Sequence, residues 1–202
     1  PLPAGGREYV SFPWTVEAGE AGAVRVVVRR VDDGQVAEAD RVIGVVAGGE
    51  ARAYPLRVLN WHEVVNDHIG GSPIAITYCP LCGTGVAFDA GGAAAARSFG
   101  VSGLLYNSDV LLYDRETESL WSQLMMQAVS GPLRGERLTP LPLTHTSWQA
   151  WRKQHPDTRV LSTDTGYARD YRRNPYAGYA GNDQLFFPVA SRSRRYHPKE
   201  QV

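Results

Sequence analysis

The sequence predicts an α+β protein made mostly of antiparallel β-hairpins, with two short helices at about 56–67 and 146–155. Three observations carry this prediction. Short β-branched runs such as VRVVVRRV and VIGVV are punctuated by glycine pairs. Only two stretches place apolar residues at helical spacing. Between them the turn residues recur too often for long helices.

Taken in order, Val24 to Val31 reads as a strand and Val42 to Tyr54 as a hairpin, with Gly48 and Gly49 supplying a positive-φ turn. Pro55 suits a first helical turn, and Val58, Trp61, His62 and Val65 fall at i, i+3, i+4 and i+7, which puts His62 on the apolar side of the first helix. Gly70 and Gly71 are expected to end that helix. A strand from Pro73 to Tyr78, a turn holding Cys79 and Cys82, and a strand from Gly85 to Asp89 then make the C-x-x-C a strand–turn–strand knuckle. Further strands are predicted at Arg97 to Val101, Asp109 to Tyr113, Ser119 to Gln123, Gln127 to Ser130 and Val160 to Ser162. The second helix starts at a cap on Thr146 or Ser147, carries Trp148 and Trp151, and stops before Pro156. From Tyr167 the chain is rich in Tyr, Arg and Gly without period, and LFFPVA reads as a last strand. The expected organisation is an N-terminal arm over 1–23, a β-rich core over 24–166, and a Tyr/Arg-rich irregular segment with the last strand over 167–202.

Composition excludes some function classes. The 21 basic and 21 acidic residues cancel, so the field that recruits nucleic acid is missing. The arginines at 169, 172, 173, 192, 194 and 195 therefore read as a solvated segment or a contact for a protein partner. No apolar run reaches the roughly 20 residues of a membrane-spanning helix. The opening PLPAGGREYVSF lacks the charged and apolar regions of a signal peptide, which fits either a cytosolic chain or a mature form already trimmed.

Chemistry concentrates at Cys79 and Cys82, the only two cysteines in 202 residues. A C-x-x-C supports dithiol exchange, but the redox motif of thioredoxin-like proteins opens a helix, whereas Gly83, Thr84 and Gly85 lead into a strand. C-P-x-C-G is also the composition of a metal-binding knuckle, in which glycine lets backbone amides approach sulfur. His62 is the nearest further ligand in sequence, and Met125 and Met126 would complete a soft set suited to copper. A hydrolase site assembled from Glu63, Asp67 or Asp109 with Ser102, Ser108 or Ser119 lacks any G-x-S-x-G elbow.

The blocks WHEVVND, TYCPLC, FGVSG, NSD and TESLWSQ, in that order, resemble the bacterial and archaeal family catalogued as domain of unknown function 3179. The resemblance spans about residues 40 to 200. It implies an extracytoplasmic location, periplasmic, secreted or lipid-anchored, and a chain shortened relative to members that continue past HPKEQV. It places in a shared site His62, Glu63, Asn66 and Asp67, then Cys79 and Cys82, then Ser102, Asn107, Ser108 and Asp109, then Trp121, Ser122 and Gln123. The leading expectation is a thiol site for a soft or borderline metal, copper or zinc, held by Cys79, Cys82 and His62. The first alternative is a dithiol–disulfide oxidoreductase in which Cys79, the more exposed thiol, attacks and Cys82 resolves. The second is a disulfide-stapled binding or assembly module without catalysis.

Overall fold

The structure is a computed structural model, and it describes residues 28–29, 36–91, 96–179, 181, 183 and 185. Thirteen strands and two helices follow one another in it: β1 Val28–Arg29, β2 Arg41–Ala47, β3 Glu50–Pro55, α1 Leu56–His62, β4 Val64–Ile69, β5 Ser72–Cys79, β6 Thr84–Asp89, β7 Phe99–Tyr106, β8 Asp109–Asp114, β9 Leu120–Ser122, β10 Gln127–Ser130, β11 Thr139–Leu141, β12 Leu143–Ser147, α2 Trp148–Gln154 and β13 Arg159–Leu161. The protein is mostly β, with two short helices.

The strands form three sheets, ordered β1-β13-β3-β2-β12, β11-β6-β5-β4 and β10-β9-β8-β7. Their side chains show how the sheets stack. Ile74 and Ile76 of β5 share a core with Ile43 and Tyr54 of the first sheet and with Leu59 of α1. Ala75 and Cys79 of β5 join a second core with Phe99, Leu112 and Trp121 of the third sheet. The β11-β6-β5-β4 sheet is therefore the middle layer, buried on both faces. That is why Ile74 to Cys79 are buried without the alternation a one-sided sheet would show. On the outer face of the first sheet, Trp148 and Trp151 of α2 pack over Val42, Ala53 and Val160. Gly44 makes room there, since a Cβ on it would lie 2.3 Å from the Trp151 ring.

The structure changes several sequence expectations. The first helix stops at His62 rather than 67, because Glu63 takes a left-handed conformation (φ 57°) and the β-branched pair Val64–Val65 starts β4. Gly70 and Gly71 then form the β4–β5 hairpin turn, both at positive φ, rather than a helix end. The second helix begins after Ser147, whose hydroxyl accepts from the Ala150 N–H at 3.2 Å. Strand β7 runs on to Tyr106, through a register shift between Val101 and Leu105. Strands β11 and β12 had no signal strong enough to predict them. One pairing, β13 with β3, is parallel, so the fold is a stack of sheets rather than a series of hairpins. Tyr167 to Tyr179 form turns without strand or helix. Within them Tyr171 and Tyr179 are buried while Arg169, Arg172 and Arg173 are exposed, so the segment packs on the body through its tyrosines. The arm over 1–23, the predicted strand LFFPVA beyond Leu185, and Arg192, Arg194 and Arg195 lie outside the described residues.

Candidate functional site

The cysteine knuckle closes the middle sheet. Cys79 is the last residue of β5 and pairs across to Thr84, the first of β6, leaving residues 80–83 as the turn. Gly83 holds φ at 64°, which costs a glycine little and a larger residue more. In this turn the Cys82 N–H donates to Cys79 Sγ at 3.2 Å. The Cys82 thiol points at the Ser108 carbonyl, 3.7 Å away, and Thr84 Oγ1 donates to the Cys82 carbonyl at 3.1 Å. Both cysteines are free thiols. Their exposure is the reverse of the sequence expectation: Cys79 is buried at 1% and Cys82 is the partly exposed one. The strand end carries Cys79 into the core, and the turn lifts Cys82.

Two protein segments meet the knuckle. From the third sheet comes the β7–β8 hairpin, whose turn residues Asn107 and Ser108 both sit at positive φ (54° and 66°), the geometry of a two-residue turn usually made by Asn-Gly. It delivers Ser108, and next to it Asp109, to the Cys82 side. Asp109 is buried; its Oδ2 accepts from the Ser122 hydroxyl at 2.5 Å and from the Leu124 N–H at 3.2 Å. Its Oδ1, also buried, has no hydrogen-bond partner among the described residues. Burial raises the Asp109 pKa to about 6 against these bonds. Gln123, fully buried, donates to Thr77 Oγ1 at 2.9 Å and to the Thr84 carbonyl at 3.3 Å, and its Oε1 likewise lacks a partner among the described residues.

From the other side comes Glu63. Its carbonyl accepts from the Tyr78 N–H at 2.7 Å, which fastens the end of α1 to the strand residue before Cys79. Its carboxyl is pushed up to about 7 by burial and accepts from Tyr176 Oη at 3.1 Å. The Tyr176 phenol is itself raised, first by burial and then by Glu63 and Cys79. Cys82 is held strongly toward the protonated form, chiefly by its hydrogen bond with Cys79, then by burial and by the charges of Cys79, Asp109 and Glu63. The surroundings of the thiols are acidic.

Other residues the sequence placed here have different work. His62 turns away to the Tyr-rich segment: its Nε2 lies 2.7 Å from Tyr171 Oη, and its ring packs on Tyr167 and Tyr171. Burial, and then the Arg169 charge, lower its pKa to about 4. Asn66 acts as a strand surrogate. Its carboxamide donates to the Phe99 carbonyl and accepts from the Phe99 N–H, both at 2.8 Å, tying β4 to β7 across two sheets. Asp67 is locked by Arg52 at 3.2 Å, by Tyr54 Oη at 2.7 Å and by the His68 N–H at 2.7 Å. Ser102 bridges the β7 irregularity, donating to the Leu111 carbonyl and accepting from the Leu104 N–H. Trp121 is core, edge-on to Phe99 with its Nε1 on Asp114. Met126 and Cys82 both pack against the core that contains Cys79, whereas Met125 is exposed.

Cys79, Cys82, Glu63, Asp109, Ser108, Ser122 and Gln123 therefore converge, whereas His62, Asn66, Asp67, Ser102 and Trp121 are bonded elsewhere. Among the described residues no three His, Cys, Asp or Glu side chains form a group that could hold a metal ion. Sequence reasoning missed Tyr176 and Thr77. Tyr176 is 113 residues from Glu63 and carries no local signal. Thr77 did carry one, as a hydroxyl inside the buried run Ile74 to Cys79.

A family model described as Protein of unknown function (DUF3179) matches residues 24–202, and the chain belongs to that family. No curated protein and no solved structure matches the chain. No described helix is long and apolar enough to cross a membrane.

Proposed function

We propose that this member of the DUF3179 family is an extracytoplasmic protein that binds a soft metal ion, copper(I), as a dithiolate of Cys79 and Cys82. The observation that carries the reading is the amide-to-sulfur contact inside the glycine-terminated turn, Cys82 N–H to Cys79 Sγ at 3.2 Å. Such a donor stabilises a coordinated thiolate and aims it, as outer groups do around metal ligands generally.

The electrostatics support the same choice. A catalytic thiolate is activated by a cation or a helix N-terminus. Here the hydrogen bond with Cys79, then burial, then the charges of Cys79, Asp109 and Glu63 disfavour a bare thiolate at Cys82, and the turn leads into a strand. A bound cation relieves that cost by taking the place of the thiol protons, so affinity falls as pH drops. Zinc in a closed site asks for about four ligands, and a soft pair of thiolates suits copper(I) better.

The test is to load the full chain with copper(I) under anaerobic conditions, then measure bound metal by elemental mass spectrometry and free thiols by alkylation and intact mass. About one copper per chain, with both thiols protected until the metal is stripped, is expected. Cys79→Ser and Cys82→Ser should each lower copper affinity at least tenfold while leaving circular dichroism unchanged. No copper on the folded protein, or full retention by both variants, overturns the reading. Reversible dithiol–disulfide turnover that survives a chelator would instead establish the oxidoreductase. A disulfide that neither turns over nor yields to metal would establish the staple.

A further inference from the structure

Three consecutive side chains at the end of α1 reach the same distant stretch of chain. Trp61 Nε1 donates to the Arg173 carbonyl at 3.1 Å, His62 Nε2 lies 2.7 Å from Tyr171 Oη, and Glu63 Oε1 accepts from Tyr176 Oη at 3.1 Å. Successive residues of a helix point in different directions, so a chain that meets three in a row wraps around the helix end.

The stretch they hold has little regular structure of its own. Residues 167–179 form neither strand nor helix, and local turns shape their backbone, with Arg173 N–H donating to the Asp170 carbonyl, Ala177 to Asn174 and Tyr179 to Tyr176. A glycine at positive φ stands near each end, Gly166 at 83° and Gly178 at 81°, where the chain can swivel at little cost. Segments without ladder pairing belong to the low-stability part of a fold and open while the sheets stay closed.

What this stretch covers is the thiol core. Tyr179 is buried in the core that contains Cys79, and Tyr176 packs against it. The charge of Cys79 acts on the Tyr176 phenol, so that ring stands in the thiol's surroundings. Cys79 is only 1% exposed, and a reagent reaches a sulfur so buried only when something moves aside.

We propose that residues 167–179 are a strap latched on Trp61, His62 and Glu63, and that its opening, without unfolding of the sheets, admits reagents and metal to Cys79. The strap stands on the contacts above, and its service to a metal ion rests on the dithiol reading.

Alkylation of Cys79 by iodoacetamide in a Cys82→Ser background measures the opening without any metal. Trp61→Phe and Tyr171→Phe each remove a latch bond and keep an aromatic ring, and both residues pack with the core of the first sheet rather than with that of the thiols. Together they should raise the alkylation rate at least tenfold. In both the parent and the double variant the rate should respond to urea much less than global unfolding does, because strap opening exposes little surface. An unchanged rate in the folded double variant, or a rate with the full urea dependence of global unfolding, overturns the strap.

A second experiment, with Cys82 restored, follows anaerobic uptake of copper(I) delivered from acetonitrile. The double latch variant should load at least tenfold faster than wild type and end at the same copper per chain. Equal uptake rates, in a variant whose Cys79 is alkylated faster, overturn the gating of metal by the strap. No copper on folded wild type sinks the dithiol reading, and the alkylation still decides whether the strap exists.

Discussion

Strand β8 has a buried aspartate at each end, and the two are surrounded in opposite ways. At the C-terminal end, Asp114 is saturated: the Thr117 N–H donates to Oδ1 at 2.6 Å, the Thr117 hydroxyl at 2.8 Å, and Trp121 Nε1 donates to Oδ2 at 2.7 Å. At the N-terminal end, beside the thiols, Asp109 puts one oxygen on Ser122 and Leu124, the backbone N–H groups of Val110 and Gln123 favour its charge more weakly, and its Oδ1 has no well-formed hydrogen bond among the described residues. A buried carboxylate normally has its lone pairs filled, and an unfilled one costs free energy that a purely structural residue would not retain. The Asp114 end is a lock. The Asp109 end is the more loosely bonded one and its charge acts on Cys82, which is what separates a site from its frame.

The largest effect should follow from opening the lock. Asp114→Ala strands the buried Trp121 N–H and the Thr117 turn, and about 3 kcal/mol of stability should be lost. Urea denaturation at neutral pH measures this directly. A loss below about 1 kcal/mol would mean that the two ends of β8 do not differ in the way their hydrogen bonds indicate.

The same contrast explains how much was legible in the sequence. Strands with β-branched runs and glycine turns, such as β2 and β3 around Gly48 and Gly49, could be read because local preference and burial agree there. The cap at Ser147 and the stop before Pro156 were readable for the same reason. The end of α1 was not, because Val65 happens to fall at helical spacing although Glu63 has already left the helix. At the site, the cysteine pair stood out by residue type alone. Its partners are set by tertiary contact: nothing near Asp109 in sequence announces a Cys82 neighbour, and nothing near Tyr176 announces Glu63. His62 misled because helical spacing put it on the buried face, where a tyrosine rather than a thiol receives it. Asn66 and Asp67 could be located but not interpreted, since their bonds to Phe99 and Arg52 are made between sheets.

A second, smaller effect distinguishes the two sides of the knuckle by pH. Glu63 has a folded pKa of about 7 against an ordinary value of 4.5, so the native state binds more protons between these values and its stability falls as pH rises from about 4 to about 7. Asp109 acts in the same direction up to about pH 6. His62, lowered to about 4, acts in the opposite direction, adding stability as pH rises from about 4 to about 6.5. Glu63→Gln removes the first contribution and keeps an oxygen for Tyr176. The variant should therefore be more stable than wild type by about 2 kcal/mol at pH 7.5, with the difference vanishing near pH 4. Urea denaturation at the two pH values tests this. An equal difference at both would show that packing, not ionisation, separates them.

The smallest effect is expected at the open end of β8. In Asp109→Asn the carboxamide oxygen can take over the bonds from Ser122 and the Leu124 N–H, while its NH₂ takes the Oδ1 position, which has no well-formed hydrogen bond among the described residues. Stability at pH 7.5 should change by less than about 1 kcal/mol, well below the loss at Asp114. What should move is the thiol. Removing a like charge beside Cys82 lowers its pKa and so raises the thiolate fraction at a pH below that pKa. Alkylation of Cys82 by iodoacetamide at pH 8, followed by intact mass with Cys79→Ser in both backgrounds, reads this out. An unchanged rate would remove Asp109 from the thiols' electrostatic surroundings. A stability loss approaching that of Asp114→Ala would show that its Oδ1 holds a structural partner, and the two ends of β8 would then be the same kind of lock.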